Sequence, residues 1–159
     1  IRDRMLQETL LSQAPARQAR FHPVPTNRNS PHETADAYAQ VLAELCPGDP
    51  PRFDLLLLGL GDDGHTASLF PGTEATQVTD RWVSVGSGKG LPRITLTAPV
   101  LCAARKVIFL VAGEGKRQAL KRLMDPEEPT ERTPARLVQP DNEIVILADA
   151  SAAGSEAAH

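Results

Sequence analysis

Residues 53–58, FDLLLL, carry four consecutive leucines and then break into Gly59, Gly61 and Gly64. Apolar residues that do not alternate with polar ones read as a strand covered on both faces of a sheet, and glycine lets the backbone turn sharply where such a strand ends. The pattern returns at 106–112, KVIFLVA, followed by Gly113-Glu114-Gly115-Lys116 and an amphipathic helical stretch through Met124. Residues 143–147 supply a last buried strand. Strands alternating with glycine turns and helices predict an α/β protein with a mostly parallel sheet and helices on both faces, a Rossmann-like architecture that binds ligands at the carboxyl edge of its strands.

The remaining segments fit that frame. Ile1, Met5, Leu6, Leu10 and Ala14 share one helical face, which Pro15 ends. Residues 21–29 contain two prolines and two asparagines and read as a short extended piece and loop. Ser30-Pro31-His32-Glu33 then matches a capping box with proline in the first turn. The helix it opens turns Ala35, Tyr38, Val41, Leu42 and Leu45 inward and stops at Pro47-Gly48-Asp49-Pro50-Pro51. Residues 82–85 and 93–97 read as short strands around a flexible loop, Gly86-Ser87-Gly88-Lys89-Gly90. Residues 125–134, charged and proline-rich, are expected to form an exposed loop. One domain spans 1–150, and 151–159 is expected to be a frayed tail.

A 41% hydrophobic content gives 159 residues enough apolar surface for one core. The net charge of −3 offers no reason to expect nucleic acid or an anionic membrane as partner. Arg2, Arg4, Arg17, Arg20 and Arg28 make the first thirty residues basic, which a solvated helix face and loop explain as well as a binding patch does. Cys46 and Cys102 have neither disulfide-framework nor zinc-type spacing, so a cytoplasmic setting without a metal is the simpler expectation. No run approaches the ~20 apolar residues of a membrane helix, and no basic-then-apolar leader opens the chain.

Gly59-Leu60-Gly61-Asp62-Asp63-Gly64 satisfies the GxGxxG pattern of dinucleotide sites. That motif needs an uninterrupted helix whose N-terminus receives a pyrophosphate, whereas Pro71-Gly72 arrives within about two turns and Asp62-Asp63 set negative charge beside it. No GKS or GKT follows for a phosphate loop of the Walker type. A purely structural turn remains an alternative, with His65 capping or packing locally. Against it, Asp63, His65, Thr66 and Ser68 crowd polar chemistry onto the exit of an apolar strand, where no core needs it. Ser68 lies outside any GxSxG elbow and reads as a loop-shaping hydroxyl.

Taken whole, residues 58–73, LGLGDDGHTASLFPGT, closely resemble the signature of 6-phosphogluconolactonases, the second enzymes of the oxidative pentose phosphate pathway. The resemblance continues through PRITLT at 92–97, FLVAGEGK at 109–116 and LADASAA at 147–153. Glucosamine-6-phosphate deaminases share the Asp-Gly-His core but continue toward Phe-Asn-Glu-Pro, where this chain has Ser68-Leu69-Phe70-Pro71. Members of the lactonase family carry a further N-terminal part of the sheet with an acidic, arginine-bearing loop. This chain is therefore expected to be the C-terminal portion of such a fold.

The resemblance implies hydrolysis of 6-phospho-D-glucono-1,5-lactone without a cofactor, by a protein that is a monomer or a homodimer. A lactone is an activated ester whose hydrolysis needs a positioned water, a base and donors for the oxyanion. Histidine ordinarily titrates near neutral pH, so His65 suits the base, with Asp63 to orient it. Backbone N–H groups of the turn holding Gly59, Gly61 and Gly64 are candidates for the oxyanion site. Arg93 and Lys116 match family positions that hold the phosphate, Arg93 through a bidentate grip and Lys116 beside a helix N-terminus. A deaminase or isomerase of the same fold and a non-catalytic sugar-phosphate module are the competing readings.

Overall fold

The computed structural model describes residues 2–13, 18–28, 30–88 and 90–154. Along the chain come α1 (Arg2–Leu6), α2 (Pro31–Leu45), β1 (Leu56–Gly59), β2 (Val83–Gly88), β3 (Leu91–Leu96), α3 (Ala98–Ala103), β4 (Val107–Val111), α4 (Arg117–Met124), β5 (Ile144–Ala148) and α5 (Ala150–Ala153). Strands β1, β4 and β5 form a parallel sheet in the order β1-β4-β5, with Leu58, Phe109 and Ile146 in register across it. Strands β2 and β3 form a separate antiparallel hairpin in which Gly86 stands opposite Arg93. Parallel neighbours require long crossovers, and the segments between β1 and β4 and between β4 and β5 supply them.

The core lies on one face of the parallel sheet. Leu56, Leu58, Val107, Phe109 and Val111 point into it and meet Leu101 of α3, Ala119 and Leu120 of α4 and Ala152 of α5. Burial of one side chain the size of Phe109 stabilises by about 1.5–3 kcal/mol, so this layer is the main fixture of the strand ends. A second cluster joins Ala35 and Leu42 of α2 to Val83 of the hairpin, flanked by Tyr38, Trp82 and Ile94. Helix α2 starts as its capping box predicts: the Glu33 backbone N–H donates to Ser30 Oγ at 3.1 Å.

The opposite face of the parallel sheet differs from expectation. Leu57, Leu110 and Leu147 are 59%, 50% and 53% exposed, so the run at 53–58 is covered on one face by the described residues, and α3, α4 and α5 pack on that face. A run of leucines is equally apolar on both sides and cannot show which side receives a layer. β5, at the edge of the sheet, is exposed or half-buried along its length, not buried, with Ile144 and Ala148 exposed although they pair with the core residues Val107 and Val111.

Other expectations also shift. The Gly86-Ser87-Gly88 stretch is strand, not loop, and Leu91 already pairs with Gly88; Lys89 lies outside the described residues. α1 runs into a π-helical turn at Gln7–Leu11, but Met5, Leu6 and Leu10 are exposed instead of forming a buried face. Ile1, Ala14, Pro15, Arg17 and Asn29 lie outside the described residues. Leu45 is exposed at the end of α2. Residues 151–153 belong to α5, capped by Asp149, instead of a frayed tail; residues 155–159 are outside the described set. The stretch 125–134 is no purely exposed loop, since Glu128, Thr133 and Pro134 are buried in it.

Candidate functional site

β1 ends at Gly59 and the chain closes at once into a turn. The Gly61 N–H donates to the His65 carbonyl at 2.8 Å and the Gly64 N–H to the Gly61 carbonyl at 3.0 Å. Glycine is required here for two separate reasons. A Cβ on Gly61 would overlap the His65 imidazole and the Asp63 carboxylate, and Gly64 sits at φ +92° with Thr133 filling the space where a side chain would go. Because both amides are bonded within the turn, Gly61 and Gly64 do not supply the oxyanion donors expected of them.

The turn folds Asp63 back onto His65. Asp63 Oδ1 accepts the His65 backbone N–H at 3.0 Å and lies 2.5 Å from the ring Nδ1. That contact assigns the ring proton to Nδ1 and leaves the Nε2 lone pair for other chemistry. Burial opposes ionisation of Asp63, but hydrogen bonds from the His65 backbone and ring, with the ring's charge, hold the carboxyl below its ordinary range. Phe70 lies against the imidazole, ring centroids 4.2 Å apart. Thr66 Oγ1 donates to the Gly59 carbonyl at 2.8 Å and ties the segment back to the strand. Ala67 follows at φ +50°, a left-handed conformation that a side chain makes costly.

The hairpin forms the adjoining wall. A Cβ on Gly86 would come within 2.8 Å of the Ser68 carbonyl, and one on Gly88 would enter the Phe70 ring, so both glycines let the segment after His65 lie flat on β2. The Ser68 N–H donates to Thr95 Oγ1 of β3 at 3.1 Å. On the other side, Gly113 turns the chain at φ +94° after β4, and Lys116 ends the short 3₁₀ helix Glu114–Lys116 that follows. The Asp149 carboxylate accepts the Gly113 N–H at 2.9 Å and holds this turn from outside.

These pieces enclose one cavity of about 460 Å³ lined by Gly59, Gly61, His65, Ser68, Arg93 and Lys116, with Phe70 and Asp62 also at its wall. Asp63 and Gly64 stand behind the lining, Asp63 reaching it only through His65. Among the described residues neither Arg93 nor Lys116 forms an ion pair, so both positive charges are available to an anion in the cavity. Residues after Gly64 form a bridged turn, Thr66 against Leu69, and not a helix, so no helix N-terminus awaits a pyrophosphate. Among the described residues no three His, Cys, Asp or Glu side chains gather as metal ligands, and none of the described helices is long and apolar enough to cross a membrane.

Sequence reasoning named the polar members of this site and missed Phe70, Arg122, Glu128 and Thr133. Phe70 was detectable from its closeness in sequence to His65. Arg122 and Thr133 touch the turn from far along the chain, the Arg122 guanidinium donating to the Asp62 carbonyl at 3.1 Å, and Glu128 joins those two; no local pattern marks them.

A parallel sheet whose carboxyl edge carries a carboxylate-backed histidine and two cations around one cavity defines an α/β protein with a cavity at its strand ends, the place where such sheets bind ligands. Residues 2–147 match the family described as glucosamine-6-phosphate isomerases/6-phosphogluconolactonase, and the chain belongs to that family. It is 45% identical over 152 residues to a 6-phosphogluconolactonase of Synechocystis, covering 94% of this chain and 63% of the relative. The human 6-phosphogluconolactonase is 48% identical over 112 residues, 68% of this chain and 43% of its own length. The chain thus spans less than two thirds of these curated relatives. Among solved structures, a 6-phosphogluconolactonase from Trypanosoma brucei superposes with a TM-score of 0.70 at 31% identity, over 84% of this chain and 57% of that one. A monomeric glucosamine-6-phosphate deaminase shares the fold at a TM-score of 0.65 and 20% identity, over 82% of this chain and 57% of its own.

Proposed function

We propose that this chain carries the hydrolytic site for 6-phospho-D-glucono-1,5-lactone. The observation that carries the proposal is the single cavity that His65, Arg93 and Lys116 line together, with Asp63 behind the histidine. Water adds to C1 of the lactone while His65 Nε2 removes one of its protons. Asp63 keeps the ring oriented and stabilises the imidazolium that forms. The C1–ring oxygen bond then breaks, and the proton passes from His65 to the departing oxygen; the new carboxylic acid, which keeps water's other proton, ionises to give 6-phosphogluconate and a proton to solvent. Arg93 and Lys116 hold the phosphate at the far end of the sugar by charge-assisted hydrogen bonds. Ser68 and the backbone around Gly59 and Gly61 shape the wall between these two ends.

Positioned acid–base help of this kind is typically worth about 10²–10⁴-fold. His65→Ala is therefore expected to lower kcat by that order while 6-phosphogluconate still binds, as measured by lactone hydrolysis corrected for the spontaneous rate and by calorimetry. Unchanged turnover removes the base assignment. Release of ammonia from glucosamine 6-phosphate assigns the site to the deaminase branch of the family instead, and binding without turnover assigns it to a sugar-phosphate-binding module.

A further inference from the structure

The stretch 125–134 looks like solvent-facing linker in the sequence, yet it carries the one charged residue that is buried among the described residues. Glu128 is 8% exposed, while the backbone around it is rich in proline and charge. Its Oε1 accepts the Thr133 hydroxyl at 2.7 Å and lies 3.8 Å from Arg122 Nε and 3.6 Å from Arg132 Nε. Arg122 Nε is itself buried without a hydrogen-bond partner, so Glu128 is the counter-charge that makes its burial tolerable. The Glu128 carbonyl in turn accepts from Arg136 Nη1, and Arg136 Nη2 donates to the Pro126 carbonyl at 3.0 Å. The loop is thereby folded around its own carboxylate.

Two of that carboxylate's three partners, Arg122 and Thr133, reach the turn that holds His65. Arg122 donates from α4 to the Asp62 carbonyl at 3.1 Å. Thr133 fills the space beside Gly64 that a side chain would occupy, and the next residue but one, Ala135, donates its N–H to the Gly64 carbonyl at 3.0 Å. Asp62 and Gly64 flank Asp63, the residue whose carboxylate sets the imidazole. We infer that Glu128 is a positioning residue for His65, a buried carboxylate that joins Arg122 and Thr133 into a clamp on the peptide units either side of Asp63.

The clamp acts on geometry and touches no substrate, since neither Glu128 nor Thr133 lines the cavity. Loss of the carboxylate leaves the buried Arg122 Nε without a counter-charge and frees the Thr133 hydroxyl, so Asp62 and Gly64 relax together. A networked pair of this sort is felt at both ends, because each member holds the other in place. The inference rests on the hydrolytic reading of the cavity only where it concerns turnover; the orientation of the ring can be read without substrate.

The test compares Glu128→Ala, Thr133→Val and Thr133→Ser in the full chain by the His65 ring ¹⁵N and Nδ1 proton resonances, and by kcat and KM for 6-phospho-D-glucono-1,5-lactone. Glu128→Ala is expected to shift the His65 ring resonances and lower kcat about ten-fold with KM within about two-fold, since small misplacements of a reacting group are costly. Thr133→Val shifts the same resonances less, and Thr133→Ser, which keeps the hydroxyl, restores them. A folded Glu128→Ala protein with wild-type His65 resonances overturns the inference. Should Glu128→Ala fail to fold, identical His65 spectra for Thr133→Val and Thr133→Ser overturn it instead. Shifted resonances in a chain whose wild type hydrolyses no lactone leave the clamp standing and remove the hydrolase reading, so the two fail separately.

Discussion

β1 and β4 both run into glycine turns, and the two turns are built in opposite ways. After β1, Gly61 and Gly64 are glycine because neighbours occupy the space beside them, and the loop is laced by internal hydrogen bonds. After β4, a Cβ on Gly113 or Gly115 would meet nothing within 4 Å, and the turn is steadied chiefly by Asp149 reaching in from α5's cap. On the proposed reading, the first turn carries a group that must work over a fraction of an ångström, and the second a long, flexible ammonium that would attract an anion as a point charge. Tight packing accompanies the histidine and loose packing the lysine.

That contrast can be broken most directly at Gly61. Gly61→Ala forces the His65 ring and Asp63 aside and is expected to depress kcat by about a hundred-fold, measured beside an unfolding curve that shows the fold intact. A fully active Gly61→Ala variant would end the claim that the turn is packed for its histidine. The next effect is at the other end of the cavity. Arg93→Ala or Lys116→Ala should raise KM about ten-fold with a smaller change in kcat, since a hydrogen bond to a charged group contributes about 1.5–3 kcal/mol. If neither moves KM, the phosphate assignment fails.

A smaller effect sharpens the first half of the comparison through pH. The Asp63 carboxyl is depressed in the folded chain, so whatever its pairing with His65 contributes is fully present above the ordinary carboxylate value of 3.8 and is lost as pH falls through the lower folded value. The difference in Tm between wild type and Asp63→Asn should therefore be constant at higher pH and shrink in acid below about pH 4. A difference that persists undiminished to strongly acid pH contradicts the pairing. Least of all should be felt at Gly115: Gly115→Ala, with open space around it, is expected to leave kcat and KM within about two-fold.

The contrast also explains what could be read from the chain. Asp63 and His65 are two residues apart, and Ser30 caps Glu33 three residues on; such local geometry is written in local sequence. That β1, β4 and β5 run parallel follows from apolar runs with helix between them, whereas their order in the sheet does not. Gly86 and Gly88 could not be distinguished from loop glycines, because the reason for them is the Ser68 carbonyl and the Phe70 ring almost twenty residues away in the chain. Glu128 looked solvated for the same cause, its partners Arg122 and Thr133 being recognisable only once folded. The open face at Leu57, Leu110 and Leu147 was invisible because hydrophobicity records a preference for cover and not its presence.

The aromatic ring of Phe70 has a kinetic consequence. With one side of the imidazole screened by that ring and its Nδ1 edge closed by a carboxylate, the remaining approach is from the cavity itself. Buffer and substrate thus compete for the same doorway. On the hydrolytic reading proposed above, a lactone seated there would stand between the ring and buffer, which favours return of the proton to the opened sugar's own oxygen.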